Sequence, residues 1–368
     1  MDNQSVRQSV LVARAIFPVV LERLAEHFMV ESNQDDVVWT KAQLIAKLQG
    51  KAGVFTTGGE RIDADVLSAC PALRVCANMA VGHNNFDLPA MTAAGVLATN
   101  APDVLTETTA DMAFALLMAT ARRVSESEAY LRAGLWKKWS YDMFVGPDVH
   151  GATLGILGMG RIGQAIARRG AHGFGMQVIY HNRSRLDVAI EQSLARQIPR
   201  DKYVLADPLA DVQTNTLTHV TAGDARINSI ASAQYVSKQD VFKRADHIVL
   251  VVPYSEASHH TVAAAELALM KPTATLVNIG RGGLIDENAL AIALATGKIA
   301  GAGLDVFEGE PTVNPALLAL KNVVLTPHIG SASVSTRLAM ANLAADNLIA
   351  YLTSGAAKTP LNPEVMGK

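Results

Sequence analysis

The reading of the fold turns on Thr153-Leu154-Gly155-Ile156-Leu157-Gly158-Met159-Gly160-Arg161-Ile162-Gly163-Gln164. The apolar run Thr153 to Leu157 has the length and composition of a buried strand. Three glycines follow, and Gln164 to His172 carries a helical pattern. In such a strand–turn–helix unit each glycine has a physical task. Gly158 permits the tight turn, Gly160 lets the backbone approach a pyrophosphate, and Gly163 lets the helix pack closely on the strand. The N–H groups that a helix start leaves without intrahelical partners then suit an anion. Glycine-rich turns are common, so the spacing alone is weak. A strand before, a helix after and a second strand, Gln177 to His181, about 20 residues on make it specific.

That second strand runs into Asn182-Arg183-Ser184-Arg185. Selection of NAD at this place rests on an acid that binds the ribose 2′-hydroxyl, and none stands between Gln177 and Leu186. Two guanidinium groups and a hydroxyl instead offer a grip on a phosphate dianion. The expected cofactor is a dinucleotide, with NADP(H) favoured over NAD(H).

Working outward, short apolar runs alternate with helical patterns along the whole chain. Ser9–Ala13, Ala52–Thr56, Leu73–Asn78 and Gly95–Thr99 read as strands before the glycine turn. His247–Val252, Thr275–Ile279, Gly301–Val306 and Val323–Thr326 read as strands after it. Alternation of this kind predicts parallel sheets covered on both faces. Two longer helices, Thr106–Val124 and Ser333–Thr353, are the natural crossings between two α/β units. The expected fold is α/β, with two Rossmann-like or flavodoxin-like doubly wound parallel-sheet domains and a cleft between them. The expected division is residues 1–103 plus 333–368 for a discontinuous substrate-binding domain. Residues 104–332 form the dinucleotide-binding domain. A polar excursion at about 187–232, with a weakly strand-like Thr214–Thr221, reads as an insertion to which no chemistry is assigned.

Composition narrows the classes of partner. The chain has 368 residues, 49% hydrophobic and 18% charged, enough apolar material for packed cores. Lys plus Arg is 32 against 34 Asp plus Glu, a balance without the electrostatic footprint of a nucleic-acid or anionic-membrane binder. The softest stretch, Met112 to Ala121, is about half a bilayer span. Two cysteines, Cys70 and Cys76, are too few for a disulfide framework. Met1-Asp2-Asn3-Gln4 has no basic region leading into an apolar one, so a cytoplasmic protein is expected.

Three residues stand out at the C-terminal ends of expected strands, where open α/β sheets place their ligands. They are Arg281 in Asn278-Ile279-Gly280-Arg281-Gly282-Gly283, Glu310 in Leu304-Asp305-Val306-Phe307-Glu308-Gly309-Glu310-Pro311, and His328 in Thr326-Pro327-His328-Ile329-Gly330-Ser331. Singly each is unremarkable. Beside a dinucleotide they match carbonyl reduction, which needs an acid for the oxygen and a cation for an anionic substrate.

With Val81-Gly82-His83-Asn84-Asn85-Phe86-Asp87 and Val104-Leu105-Thr106-Glu107-Thr108, these motifs make a sequence that resembles the D-2-hydroxyacid dehydrogenase family. Within it, the likeness is nearest to the glyoxylate/hydroxypyruvate reductases that also act as 2-ketogluconate reductases. The resemblance runs from about residue 50 to 360, apart from the excursion. It implies Arg281, Glu310 and His328 as the catalytic triad, with the Val81 and Gly82 N–H groups on the substrate carboxylate. It also implies Arg161, Ile162, Pro253, Ile279 and Asp305 around the cofactor. The substrate is then a small 2-keto acid, reduced to the D-2-hydroxy acid. Trp136 and Trp139 fall in the segment resembling the family's dimerisation arm, so a homodimer is expected.

Two other readings share the pattern. A dinucleotide-sensing corepressor keeps the same triad, but lacks this phosphate-binding pair and adds long flanks. A 3-phosphoglycerate dehydrogenase often carries a further regulatory domain, and formate dehydrogenases of this fold have Gln in place of Glu310. No metal is expected. His259-His260 is adjacent rather than at ligand spacing and reads as a surface loop, and His83 reads as incidental.

Overall fold

The computed structural model describes residues 7–195 and 232–367. The chain divides into two compact units, one holding residues up to Thr109 together with Gly330 onward, the other Ala110–Ile329. It passes to the second unit within the helix Thr106–Ala121 and returns just ahead of the helix Val334–Ser354.

The first unit contains strands β1 (Ser9–Val12), β2 (Met29–Ser32), β3 (Gly53–Thr56), β4 (Val75–Asn78) and β5 (Leu97–Thr99). They form one parallel sheet in the order β2-β1-β3-β4-β5, the flavodoxin-like order. β3, β4 and β5 are buried at every position, which is why they read as unbroken apolar runs. β2 went unread because it is an edge strand with an exposed, mixed sequence. Its pairing with β1, Val10 opposite Val30, makes it a strand. The helix Val334–Ser354 lies on this sheet. A Cβ on Gly53 would come within 2.7 Å of Leu348 Cδ1, so this glycine permits the close approach.

In the second unit, β6 (Thr153–Leu157), β7 (Gln177–His181), β8 (Gln234–Tyr235), β9 (His247–Leu250), β10 (Thr275–Asn278), β11 (Gly301–Leu304) and β12 (Val323–Leu325) make a seven-stranded parallel sheet. Its order, β12-β11-β10-β9-β6-β7-β8, is the doubly wound dinucleotide-binding order with one strand added. Alternate side chains feed two cores. Ile248, Leu250, Leu276 and Leu304 join one, and Leu154, Ile156, Val249 and Val277 the other. One sheet thus holds a hydrophobic layer on each face.

The long helix expected over Thr106–Val124 is two. The first ends at Ala121, Arg123 takes a left-handed φ of +50°, and Val124–Arg132 starts afresh. Arg123 bonds to Glu126 and lies 5.1 Å over the Phe144 ring, contacts that hold the turn in place. The Thr214–Thr221 alternation and most of the 187–232 excursion lie outside the described residues.

Candidate active site

The strands of the second sheet are level at one end. His181 pairs with Leu157, Leu157 with Leu250, Leu250 with Asn278, Asn278 with Leu304 and Leu304 with Leu325. At about 4.8 Å per strand, this row defines an edge from which the glycine turn, Asn182–Arg185, Pro253, Arg281, Asp305 and His328 all emerge within a few residues. Sequence separations of up to 170 residues collapse into one ledge.

At its middle, Gly158 has φ +97°, and a Cβ there would stand 2.7 Å from Val252 N. A Cβ on Gly163 would stand 2.1 Å from the Gly158 carbonyl oxygen, so this crossing of helix and turn admits only glycine. A Cβ on Gly160 would meet no protein atom within 4 Å. Gly160 caps the helix beginning at Arg161, and the first-turn N–H groups of a helix have no intrahelical acceptor. A tight turn, a close crossing and open space over a helix start fit a pyrophosphate. Ile162 is half-buried against the core, and Ile279 is buried in it.

The residues after β7 divide their work. Asn182 Oδ1 accepts from Met159 N at 3.0 Å, tying the strand end to the glycine turn. Arg185 forms a two-pronged pair with Glu191, at 2.9 and 2.7 Å, and Glu191 is only 2% exposed. Tyr180 donates its hydroxyl to Glu191 at 2.7 Å and accepts from Leu186 N at 2.9 Å. Burial pushes the Tyr180 hydroxyl up to about 12, with the Glu191 charge adding to it. Arg183 and Ser184 stay exposed. Sequence reading offered both arginines equally; it missed Glu191, which sits in the polar excursion and carries no motif.

The Arg185 hydrogen bond holds the Glu191 carboxyl below the usual glutamate range, outweighing burial. The associated stability is full above the unfolded pKa and is lost as pH falls through the lowered folded value. Arg185→Ala should therefore lower Tm at neutral pH, with the gap to wild type closing as the pH drops below about 4.5. A pH-independent gap in thermal melts would refute this account of the pair.

Arg281, Glu310 and His328 follow β10, β11 and β12. His328 Nδ1 lies 2.7 Å from Glu310 Oε2, and Glu310 Oε1 accepts from Phe307 N at 2.9 Å. Burial alone would raise the Glu310 carboxyl. The His328 hydrogen bond, the Phe307 N–H and the charges of His328 and Arg281 together hold it below the usual range. Burial lowers the Arg281 guanidinium, and the Glu310 charge pulls it back up. Asn278 Nδ2 donates to the Arg281 carbonyl at 2.9 Å, which fixes the backbone under that side chain.

His328 sits at a left-handed φ of +53°, uncommon for a residue with a side chain, though histidine tolerates it better than most. The buried Asp305 builds that turn. Its carbonyl accepts from His328 N at 2.9 Å, and its Oδ1 accepts from Thr326 Oγ1 at 2.7 Å and Ile329 N at 2.8 Å. Asp305, read from the sequence as a cofactor contact, thus spends much of its bonding capacity presenting His328. Glu287 is a second residue that sequence reading missed. It is buried and accepts from Glu308 N at 2.8 Å. Burial raises its carboxyl, and the Glu308 and Glu310 charges push it further.

In the first unit, Asn100 Nδ2 donates to the Val81 carbonyl at 2.8 Å and Asn78 Nδ2 to the Gly82 carbonyl at 3.0 Å. Neither the Val81 nor the Gly82 N–H bonds an acceptor among the described residues. Pro253 is exposed at the end of the loop after β9, its carbonyl accepting from Ser258 Oγ at 3.0 Å.

A glycine turn at the head of a doubly wound sheet, with an acid–imidazole pair and a half-buried guanidinium on the same edge, defines a dinucleotide-dependent oxidoreductase. The family model for the D-isomer specific 2-hydroxyacid dehydrogenase NAD-binding domain matches residues 114–205 and 205–330. A glyoxylate reductase of Thermococcus onnurineus is 42% identical over 98% of both chains, and one of Pyrococcus horikoshii 40% identical over the same shares. Among solved structures, the NADPH-dependent glyoxylate/hydroxypyruvate reductase of Sinorhizobium meliloti, crystallised with NADP and malonate, is 34% identical. It superposes with a TM-score of 0.76 over 98% of this chain and 99% of its own. The chain belongs to the D-isomer-specific 2-hydroxyacid dehydrogenases, enzymes dependent on a nicotinamide dinucleotide. Among the described residues, no helix is long and apolar enough to cross a membrane.

Proposed function

We propose that this enzyme reduces glyoxylate or hydroxypyruvate, and 2-ketogluconate as a larger alternative, to the D-2-hydroxy acid with NADPH. The observation that carries this reading is the His328–Glu310 pair at 2.7 Å on the edge that also holds Arg281. When bound, the dinucleotide supplies the hydride that goes to C2 of the keto acid. As charge develops on the ketone oxygen, His328 donates the proton from Nε2 while Glu310 holds Nδ1 and stabilises the imidazolium. Arg281 pairs with the carboxylate and polarises the carbonyl, a task that half-buried surroundings strengthen. The Val81 and Gly82 N–H groups, in the first unit, are donors suited to a substrate carboxylate. On this reading the first unit binds substrate and the second binds the cofactor.

Exposed Arg183 and Ser184, with Arg185 locked to Glu191, make Arg183 the principal cation for a 2′-phosphate. Arg183→Ala should weaken NADPH binding about tenfold or more, roughly 1.4 kcal/mol, and leave NADH binding nearly unchanged. Binding titrations with both cofactors check this. A panel of 2-keto acids assayed with NADPH and NADH in parallel tests the whole reading. NADPH should give the higher kcat/KM, with glyoxylate and hydroxypyruvate ahead of 2-ketogluconate. A wide margin in favour of NADH would overturn the cofactor assignment, and no turnover of any keto acid would overturn the reaction.

Trp136, Trp139 and Tyr141 are 52%, 75% and 85% exposed. Aromatic side chains are enriched at protein interfaces, which supports a homodimer formed through this segment. Cys70 and Cys76 are buried free thiols, in keeping with a reducing, cytoplasmic setting.

A further inference from the structure

His259 and His260 take no part in the reaction proposed above, yet the fold brings Glu308 to both. The two imidazole rings stack with centroids 3.7 Å apart and planes 23° from parallel. Glu308 Oε2 is 3.0 Å from His260 Nε2, and Oε1 is 3.9 Å from His259 Nδ1. Ligand atoms from the three residues all fall within 4.8 Å of one another. A tetrahedral ion with bonds of about 2.0–2.1 Å holds its ligand atoms roughly 3.3 Å apart, so small side-chain rotations convert this cluster into a coordination set.

The supports are in place on both sides. His260 holds a left-handed φ of +48°, and its N–H donates to the Gly283 carbonyl at 2.8 Å. The Tyr254 hydroxyl lies 3.1 Å from His259 Nδ1, and the Glu308 N–H is anchored on buried Glu287. His260 and Glu308 border an open cleft of about 360 Å³, lined also by Asp286 and Glu287. It gives a hydrated cation access and leaves room for water ligands.

Two imidazoles and one carboxylate favour a borderline late transition ion over magnesium or calcium, which prefer all-oxygen sets. We propose that His259, His260 and Glu308 form a binding site for a divalent ion of the Zn²⁺ or Co²⁺ class, with water in the remaining position. The ion replaces the proton between His260 and Glu308 and takes His259 Nδ1 from the Tyr254 hydroxyl.

The test is a Co²⁺ titration of the full-length, chelator-treated protein, followed by visible absorption, with Zn²⁺ as competitor. One ion per chain with a tetrahedral spectrum, displaced by Zn²⁺, is expected. Glu308→Gln and a His259→Ala/His260→Asn double variant should each weaken binding at least tenfold, whereas His27→Ala in the other unit should not. Asparagine at 260 keeps a residue that accepts left-handed backbone, and Glu308→Gln changes only an exposed side chain, so one folded variant remains in hand. No saturable binding, or equal affinity in wild type and both variants, would overturn the site.

Discussion

Replacing His328 with alanine should lower the turnover number about 10²–10⁴-fold, the range that a positioned general acid contributes. The expectation rests on the 2.7 Å contact to Glu310 and on the turn that Asp305 builds beneath the ring. Alanine fits the left-handed backbone at 328 less well than histidine, so a His328→Asn control separates backbone strain from chemistry. Asparagine should restore the wild-type Tm and leave turnover as low as alanine does. Arg281→Ala should fall by about 10²–10³-fold with a raised KM, since it removes both carboxylate binding and charge stabilisation. Lysine at 281 should rescue only part, because a point charge cannot reproduce the planar fork. The measurement is steady-state keto-acid reduction beside thermal melts. Wild-type turnover in both alanine variants would remove the proposed roles.

The second large effect concerns two glycines that look alike in sequence. Gly282→Ala should destabilise the protein by about 3 kcal/mol, the upper end for overpacking, and cut turnover sharply in what stays folded. Its Cβ would stand 1.8 Å from the Phe307 carbonyl carbon and 2.2 Å from Glu308 N. Backbone lies on that side, so no side-chain rotation relieves the overlap. The segment displaced is the one whose Phe307 N–H holds Glu310. Gly160→Ala should behave in the opposite way. Its Cβ meets no protein atom within 4 Å, so Tm should hold while cofactor affinity drops at least tenfold, because a methyl group then occupies the space over the helix start. Thermal melts and cofactor titrations read both, and equal Tm losses in the two variants would contradict the argument.

The same contrast shows how far the amino-acid sequence reaches. Periodicity and glycine spacing are local, set by a few neighbouring residues, and they sufficed for most strands, the glycine turn and the alternation that implies two parallel sheets. The motifs around Arg281, Glu310 and His328 were legible because each directly follows an apolar strand. Edge strand β2, with its exposed residues, and the two-residue β8 carry too little apolar pattern to read. The break at Arg123 is held by contacts with Glu126 and Phe144.

What sequence alone determined was the class of fold and a set of candidate residues, because burial on both faces of a strand and a glycine's missing side chain act within one short window. Tertiary structure decided which of those residues work together. The level strand ends set His328 against Glu310, paired Arg185 with Glu191, turned Asp305 toward the His328 loop, and carried Glu308 to a histidine pair 48 residues away. Strand order alone brings such distant positions together, and no local periodicity encodes it.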